Sequence, residues 1–336
     1  MKTIFIQEPG EIGIFEKERP IPKKGEALLR VKYAGICGSD VATYAGNQPF
    51  ATYPRIPGHE FSAEIIEIEE NSQGLKPGMV VTANPYFNCG KCYSCQRGYL
   101  NCCEDNQTMG VQRDGAFSEY ITMPIDRIVY GRGLDEKILA LIEPFSIGYH
   151  AINRGDIQAG DHVLVIGAGP IGIFAMLSAK LKGAKVYIAD LLEERLSLAK
   201  KLGAHEAIDV SKEDLGERVR RITNGNGMDV CVEAVGLGST FLSCIEQVCF
   251  AGKVILVGNG KQDTKFNHSI LLKKELNVFG SRNSLHDFEP LIDLLMNDKI
   301  KIDQMITHIF ELEEATDAFE ALKHNDGSMA KVLVKF

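Results

Sequence analysis

The chain has 336 residues, 45% of them hydrophobic and 24% charged, with a formal net charge of −8. That length is too great for one ordinary core and fits two soluble domains. The acidic balance and the scattered Lys and Arg argue against nucleic acid or an anionic membrane surface as partner.

Met1 to Gln7 meets Glu8 after one short apolar stretch, so no signal peptide is expected. The apolar runs are broken by Gly or charge short of a membrane span. Nine cysteines, an odd number with one metal-type cluster, point to a reducing cytoplasm.

Residues 1 to about 145 read as β-rich. Ala27 to Lys32 and Ala63 to Ile68 have the pattern of strands, bounded by turn signals such as Lys76-Pro77-Gly78. Within this half lie Cys37-Gly38-Ser39-Asp40 and Gly58-His59-Glu60, and then Cys89, Cys92, Cys95 and Cys103 spaced C-x2-C-x2-C-x7-C. Three thiols at every third position on an irregular backbone can converge on one point, and a fourth returns after a short lobe. Four thiolates with no open position suit structural Zn²⁺. A disulfide cluster, or buried cysteines acting as small hydrophobes, is the alternative use of such residues. Cys102 beside Cys103 leaves open which thiol closes the site. A structural zinc loop does no chemistry, so function has to come from elsewhere.

From about 150 the rhythm changes. His162 to Ile166 reads as a continuous apolar strand, and Ile171 to Lys182 as a helix after a glycine-rich turn. There follow a strand Lys185 to Ala189, a helix Glu193 to Leu202 and a strand Met228 to Val232. A helix Thr240 to Cys249 and a strand Lys253 to Val257 complete the alternation. Apolar strands alternating with helices mean a parallel sheet covered on both faces. The tail adds a helix Phe288 to Met296 and a final strand Ala330 to Phe336, which needs a sheet to join. The expected architecture is α/β. A β-rich domain spans 1–148 and is completed by 285–336, and a doubly wound nucleotide domain spans 149–284.

Gly167-Ala168-Gly169-Pro170-Ile171-Gly172 is G-x-G-x-x-G between a predicted strand and a predicted helix. Gly167 permits the tight turn, Gly169 lets a pyrophosphate approach the backbone, and Gly172 lets helix and strand pack closely. The helix N-terminus, opened by Pro170 and Ile171, favours the phosphate charge. Asp190 closes the second strand, where a carboxylate can take both ribose hydroxyls. Such an acid would repel a 2′-phosphate, and Leu191 and Leu192 offer no cation to hold one, so NAD is expected over NADP. Capping the helix at Glu193-Glu194 is the other role open to Asp190.

Cys37, His59-Glu60 and Glu143-Pro144 remain as dispersed groups. A thiolate, an imidazole and a carboxylate brought together leave one tetrahedral position open, as catalytic zinc does. From spacing alone, a Cys-Gly turn and a His-Glu pair are equally ordinary surface features. In order along the chain, however, Gly35 to Asp40, Gly58 to Phe61, the four-cysteine loop, Asp114 to Tyr120, Glu143 to Ser146 and Gly167 to Gly172 resemble the zinc-containing medium-chain alcohol and polyol dehydrogenases. Glu143-Pro144 is similar to the sorbitol dehydrogenase branch. Gly46 to Phe50 with Tyr53-Pro54-Arg55 is similar to bacterial members acting on L-galactonate or L-gulonate.

The resemblance implies a GroES-like catalytic domain and a Rossmann domain, one catalytic and one structural zinc, NAD as cofactor, and a homo-oligomer, dimer or tetramer. Cys37 and His59 match catalytic zinc ligands, as do Glu60 and Glu143, the latter in direct contact or through water. Cys103 matches the fourth structural ligand. Ser39 matches the hydroxyl that starts a proton relay. Arg195, Val235, Val257, Gly258 and Ser281 fall among positions that line the cofactor. Arg282 and Asn283 follow the last nucleotide-domain strand, where an Arg suits a substrate carboxylate; a cofactor phosphate or an interdomain acid would suit it equally. One departure stands out: relatives often carry histidine where this chain has Ala42. The expected activity is reversible oxidation of a secondary hydroxyl of a polyol or sugar acid. The competing expectations are a simple-alcohol or threonine dehydrogenase, and a nucleotide-binding relative without catalytic zinc.

Overall fold

The computed structural model describes residues 1–260 and 262–336. They form two units: Met1–Glu143 with Phe288–Asn325 and Lys331–Phe336, and Pro144–Asp287 with Asp326–Ala330.

In the first unit, the strand Glu26–Gly35 is the organising element. Its Ala27, Leu28, Leu29 and Val31 are buried, so it belongs inside a sheet and not at an edge. Glu60–Glu67, Tyr120–Pro124 and Lys331–Lys335 all pair with it antiparallel. The seven-stranded sheet is completed by Val80–Ala83, Ile128–Tyr130 and Ile306–Glu311. Register has a consequence for chemistry. Gly35 lies opposite Glu60 on one side and opposite Leu333 on the other. Cys37 just past Gly35, His59 just before Glu60, and Lys331 just before Leu333 are thereby delivered to one end of the sheet.

The second unit carries a six-stranded, all-parallel sheet. Numbered along the chain, its strands run 3-2-1-4-5-6, the doubly wound order. The order reverses between His162–Ile166 and Met228–Glu233, whose side chains are buried almost throughout. Leu164, Cys231, Val254 and Met228 anchor a core layer closed by Val219, Cys244 and Ile245 from two helices.

Most predicted elements appear close to their expected bounds, Phe288–Met296 among them. The differences are physical. The strand Glu206–Asp209 is four residues long with only Ile208 buried, and the helix Leu215–Ile222 spans two turns, its apolar stripe reduced to Leu215, Val219 and Ile222 among charged residues. The helix expected to reach Cys249 runs Gly238–Gln247, because the chain enters a strand at Val248. Glu143 and Pro144 stand in the first turn of a helix, Ile142–Arg154, that the motif around them concealed. Proline is tolerated there, where amides have no intrahelical acceptor. Among the described residues no helix is long and apolar enough to cross a membrane.

Candidate functional site

Cys89, Cys92, Cys95 and Cys103 each place one sulfur within 4.8 Å of the others. All nine cysteines are free. A one-turn helix, Tyr93–Gln96, and a 3-10 turn, Leu100–Cys102, fold the lobe back on itself. Amides point at the sulfurs: Cys89 N donates to Cys103 Sγ at 3.2 Å, and Cys92 N to Cys89 Sγ at 3.3 Å. The Glu104 amide is the chief reason the Cys92 thiol is lowered to about 6, while burial pushes Cys95 up to about 12. Four converging sulfurs with amide support fit a thiolate-held Zn²⁺ with no vacancy. Cys102 is exposed and stands outside the group.

Cys37, His59 and Glu60 form a second group by the same distance criterion. His59 and Glu60 are buried, 6% and 1% exposed. Asp40 organises them. Its Oδ2 accepts from Cys37 N at 2.9 Å and its Oδ1 from Gly58 N at 3.0 Å, so one fully buried carboxylate ties together the two ligand-bearing turns. His59 Nδ1 lies 4.0 Å from the same Oδ1. Burial raises the Asp40 pKa. Burial opposes the charged form of His59, yet Cys37, Asp40 and Glu143 together hold its pKa well above the usual histidine value. Ser39 Oγ is buried and has no hydrogen-bond partner, so an unsatisfied hydroxyl stands two residues from the Cys37 thiol. Thiolate, imidazole and carboxylate fit Zn²⁺ with one position open to substrate.

Glu143 is held differently. Tyr86 Oη donates to Glu143 Oε1, and both residues are buried. Glu143 falls outside the three-ligand group. Burial pushes its carboxyl up to about 7 and pushes the Tyr86 phenol well above its ordinary value. Lys331, 2% exposed, donates to Glu60 Oε2. Sequence reasoning missed Lys331 and Tyr86 and gave Asp40 no role. A lysine opening the apolar strand Val332-Leu333-Val334 was the available signal for the first.

In the second unit the glycine-rich turn has the geometry its spacing implies. Gly167 has φ of 104°, and a Cβ on Gly172 would lie 1.8 Å from Gly167 O. A Cβ on Gly169 would meet nothing within 4 Å, so the turn faces open space. Gly169 caps the helix Pro170–Leu181 with no side-chain hydrogen bond, which leaves leading amides for an anion. Asp190 accepts from Ala168 N at 2.6 Å, Leu191 N at 2.8 Å and Leu192 N at 3.0 Å. It therefore braces the turn as well as ending its strand. Arg195 stands 3.8 Å from Asp190 Oδ2, a cation close to the acid.

Glu233, also missed, gathers Val235 N, Gly236 N and the Thr240 hydroxyl on Oε1, while its carbonyl accepts from Val257 N and Gly258 N. Ser281 N donates to Leu256 O, and Ser281 Oγ is buried without a partner. Arg282 and Asn283 lie in the following segment, Asn283 with φ of 50°. That segment is gripped by one helix, through Arg154 Nε to Gly280 O at 3.2 Å and His150 Nδ1 to Asp287 Oδ2 at 3.1 Å. The pyrophosphate turn fits a dinucleotide.

A metal-ligating unit and a dinucleotide-type unit on one chain define a zinc- and nucleotide-dependent oxidoreductase. Comparison with known proteins agrees. Residues 23–131 match the alcohol dehydrogenase GroES-like domain, and residues 170–297 match the zinc-binding dehydrogenase family. L-galactonate-5-dehydrogenase of Escherichia coli K12 is 36% identical over 337 residues, 100% of this chain and 99% of that protein. Sorbitol dehydrogenase of Halalkalibacterium halodurans is 36% identical over 331 residues, 97% and 96% of the two chains. A crystal structure of an Escherichia coli CFT073 short chain alcohol dehydrogenase complexed with NADH superposes with a TM-score of 0.94 at 34% identity, covering 100% of this chain and 99% of that one. The chain belongs to the zinc-type medium-chain alcohol dehydrogenase family.

Proposed function

We propose that the protein is a zinc-dependent NAD oxidoreductase that reversibly oxidises one secondary hydroxyl of a polyol or sugar acid to a ketone. The observation that carries this reading is the Cys37–His59–Glu60 group, with His59 and Glu60 buried, on a turn that also bears the unsatisfied Ser39 hydroxyl. Relatives named for L-galactonate and sorbitol support the substrate class. When bound, zinc supplies Lewis acidity that lowers the pKa of an alcohol hydroxyl, and NAD supplies the hydride acceptor.

The chain's own residues do the rest. Cys37, His59 and Glu60 hold the metal, and Asp40 orients the turns that bear the first two. Ser39 Oγ accepts the hydrogen bond of the substrate hydroxyl and takes its proton as it gives up its own to the next acceptor. Because Ala42 has no proton-carrying side chain, the proton leaves Ser39 through water or a cofactor hydroxyl. Gly167 to Gly172 hold the pyrophosphate and Asp190 the adenine ribose, with Arg195, Val235, Val257, Gly258 and Ser281 lining the cofactor. Arg282 and Asn283 recognise a carboxylate or hydroxyl distal to the reacting carbon. The net charge of −8 supports small molecules, not nucleic acid or membrane, as partners of a cytoplasmic homo-oligomer.

A panel of sugar acids, polyols and simple alcohols, each with NAD and with NADP, tests the reading. Turnover of hexonates or polyols with NAD is expected. Activity confined to primary alcohols or to threonine would overturn the substrate class, and preference for NADP would overturn the role of Asp190.

A further inference from the structure

The nucleotide-binding edge of the parallel sheet carries a buried acid that takes no part in the steps above. Strand register places Ala189, Ile166, Glu233, Leu256 and Gly280 in one row across five strands. Asp190 continues from Ala189, the glycine-rich turn from Ile166, and Val257 and Gly258 from Leu256. Glu233 therefore stands one strand beyond the pyrophosphate turn, on the side away from Asp190. A dinucleotide laid across a doubly wound sheet sets its two nucleosides on opposite sides of that turn. With the adenine ribose at Asp190, the nicotinamide half falls over the loops that Glu233 holds.

Glu233 is 2% exposed. Its Oε1 accepts from Val235 N at 2.9 Å, Gly236 N at 2.8 Å and Thr240 Oγ1 at 2.7 Å. Three donors on one oxygen are the pattern of an ionised carboxylate, which only accepts. The helix Gly238–Gln247 begins there, and its positive end favours an anion. The other oxygen fills the space of a side chain on Gly258, where a Cβ would lie 2.5 Å from Oε2. Among the described residues no lysine, arginine or histidine forms an ion pair with Glu233. Amide donors satisfy such a group without cancelling its net charge. A Cβ on Gly167 would meet Val235 Cγ2 at 2.7 Å and Ala234 C at 3.2 Å, so the loop that Glu233 braces is packed on the pyrophosphate turn itself.

We propose that Glu233 is a positioning residue whose buried charge favours the oxidised over the reduced form of the bound cofactor. Oxidised nicotinamide is a pyridinium cation, and taking up a hydride, a proton with two electrons, leaves the ring uncharged. A fixed anion attracts the first form and has no net charge to attract in the second. Charges in a water-poor crevice act across several ångströms, and neighbouring strands are only ~4.8 Å apart. The site can thereby hold the oxidised form without tightening its grip on the reduced product, whose release limits many enzymes.

The inference rests on the nucleotide reading above, and equilibrium binding separates the two. Dissociation constants of NAD⁺, NADH and ADP-ribose are measured for the native protein, Glu233→Gln and Glu233→Asp, with melting temperature as the check on folding. Glu233→Gln keeps the shape and an acceptor oxygen but removes the charge. It is expected to bind NAD⁺ ~10-fold more weakly, the order of one buried unit charge, with NADH and ADP-ribose little changed. A role in bracing the loop alone predicts equal weakening of NAD⁺ and NADH, and that result overturns the proposal. So does a native ratio of NAD⁺ to NADH affinity in Glu233→Gln. Glu233→Asp keeps the charge and shortens its reach, so the ratio should stay near native even where both affinities fall. A ratio shifted against NAD⁺ in Glu233→Asp as far as expected for Glu233→Gln overturns the proposal without need of the second variant. If the native protein binds none of the three ligands, the nucleotide reading and the inference fall together. If it binds all three and the ratio does not move in Glu233→Gln, the inference alone falls.

Discussion

The two metal groups of the first unit are built in opposite ways. The four-cysteine group comes from one short stretch, Cys89 to Cys103, folded by a one-turn helix and a 3-10 turn. The Cys37–His59–Glu60 group is assembled by sheet register, with Gly35 opposite Glu60 and Leu333, and it draws Lys331 from the far end of the chain. The local group is closed and made of one donor type. The assembled group is mixed, with His59 and Glu60 buried and Cys37 half-buried, and its first turn carries an unsatisfied hydroxyl at Ser39. A site that only holds chain together can be local, whereas a site that must leave room for substrate needs walls from several elements.

The largest effects should come from breaking each group in turn. His59→Ala is expected to remove the labile zinc and lower turnover by more than the ~10²–10⁴-fold of a single proton-transfer group, while the melting temperature changes little. Cys95→Ser should do the reverse in kind: the lobe loses its metal and the protein melts lower. Structural zinc sites contribute folding energy outright. Metal analysis paired with calorimetry reads both, and equal loss of stability in the two variants would erase the distinction.

Next in size is Ser39→Ala. If Ser39 Oγ takes the substrate proton, turnover falls ~10²–10⁴-fold with zinc content unchanged. Ala42→His should recover less than Ser39→Ala loses, because histidine acts only downstream of the first transfer. Steady-state rates across a pH series check this, and near-native turnover in Ser39→Ala would mean that water reaches the substrate directly.

Asp40→Asn probes the assembled group one layer out. Its two carboxylate oxygens accept from amides of two ligand turns. An amide side chain has one acceptor oxygen and must present an N–H to one of those donors. Zinc affinity at the mixed site should fall ~10–100-fold, and chelator competition would show it. The four-cysteine group should not respond.

The same contrast explains what was legible in the sequence. Residue spacing alone located the closed loop, because its ligands are neighbours, and G-x-G-x-x-G located the nucleotide turn for the same reason. Cys37, His59 and Glu60 gained their weight from the order of motifs, since no local spacing ties residue 37 to residue 60. Tyr86 and Glu233 were invisible, and Lys331 was marked only by a charge opening an apolar strand, for a related reason. Each acts through a partner far along the chain or through backbone amides, and single buried polar residues in apolar surroundings leave no periodic trace. The strand Glu206–Asp209 and the helix Leu215–Ile222 escaped because both are short: four residues with one buried, and two turns whose stripe of Leu215, Val219 and Ile222 is set among charges.

The smallest effect is the sharpest test of the closed group. Cys102 and Cys103 are adjacent, and spacing left either able to complete the site. In the fold Cys102 ends the 3-10 turn with its residue exposed, and Cys103 is buried beside the other three sulfurs. The Cys89 amide already donates to Cys103 Sγ. Cys102→Ser should therefore leave zinc content, melting temperature and turnover within error of the native protein, since exposed substitutions away from such features fall within about 0.5 kcal/mol. Cys103→Ser should behave as Cys95→Ser does. If the two outcomes were exchanged, the lobe would close through a different register, and the amide-to-sulfur bonds described here would not be those that hold it.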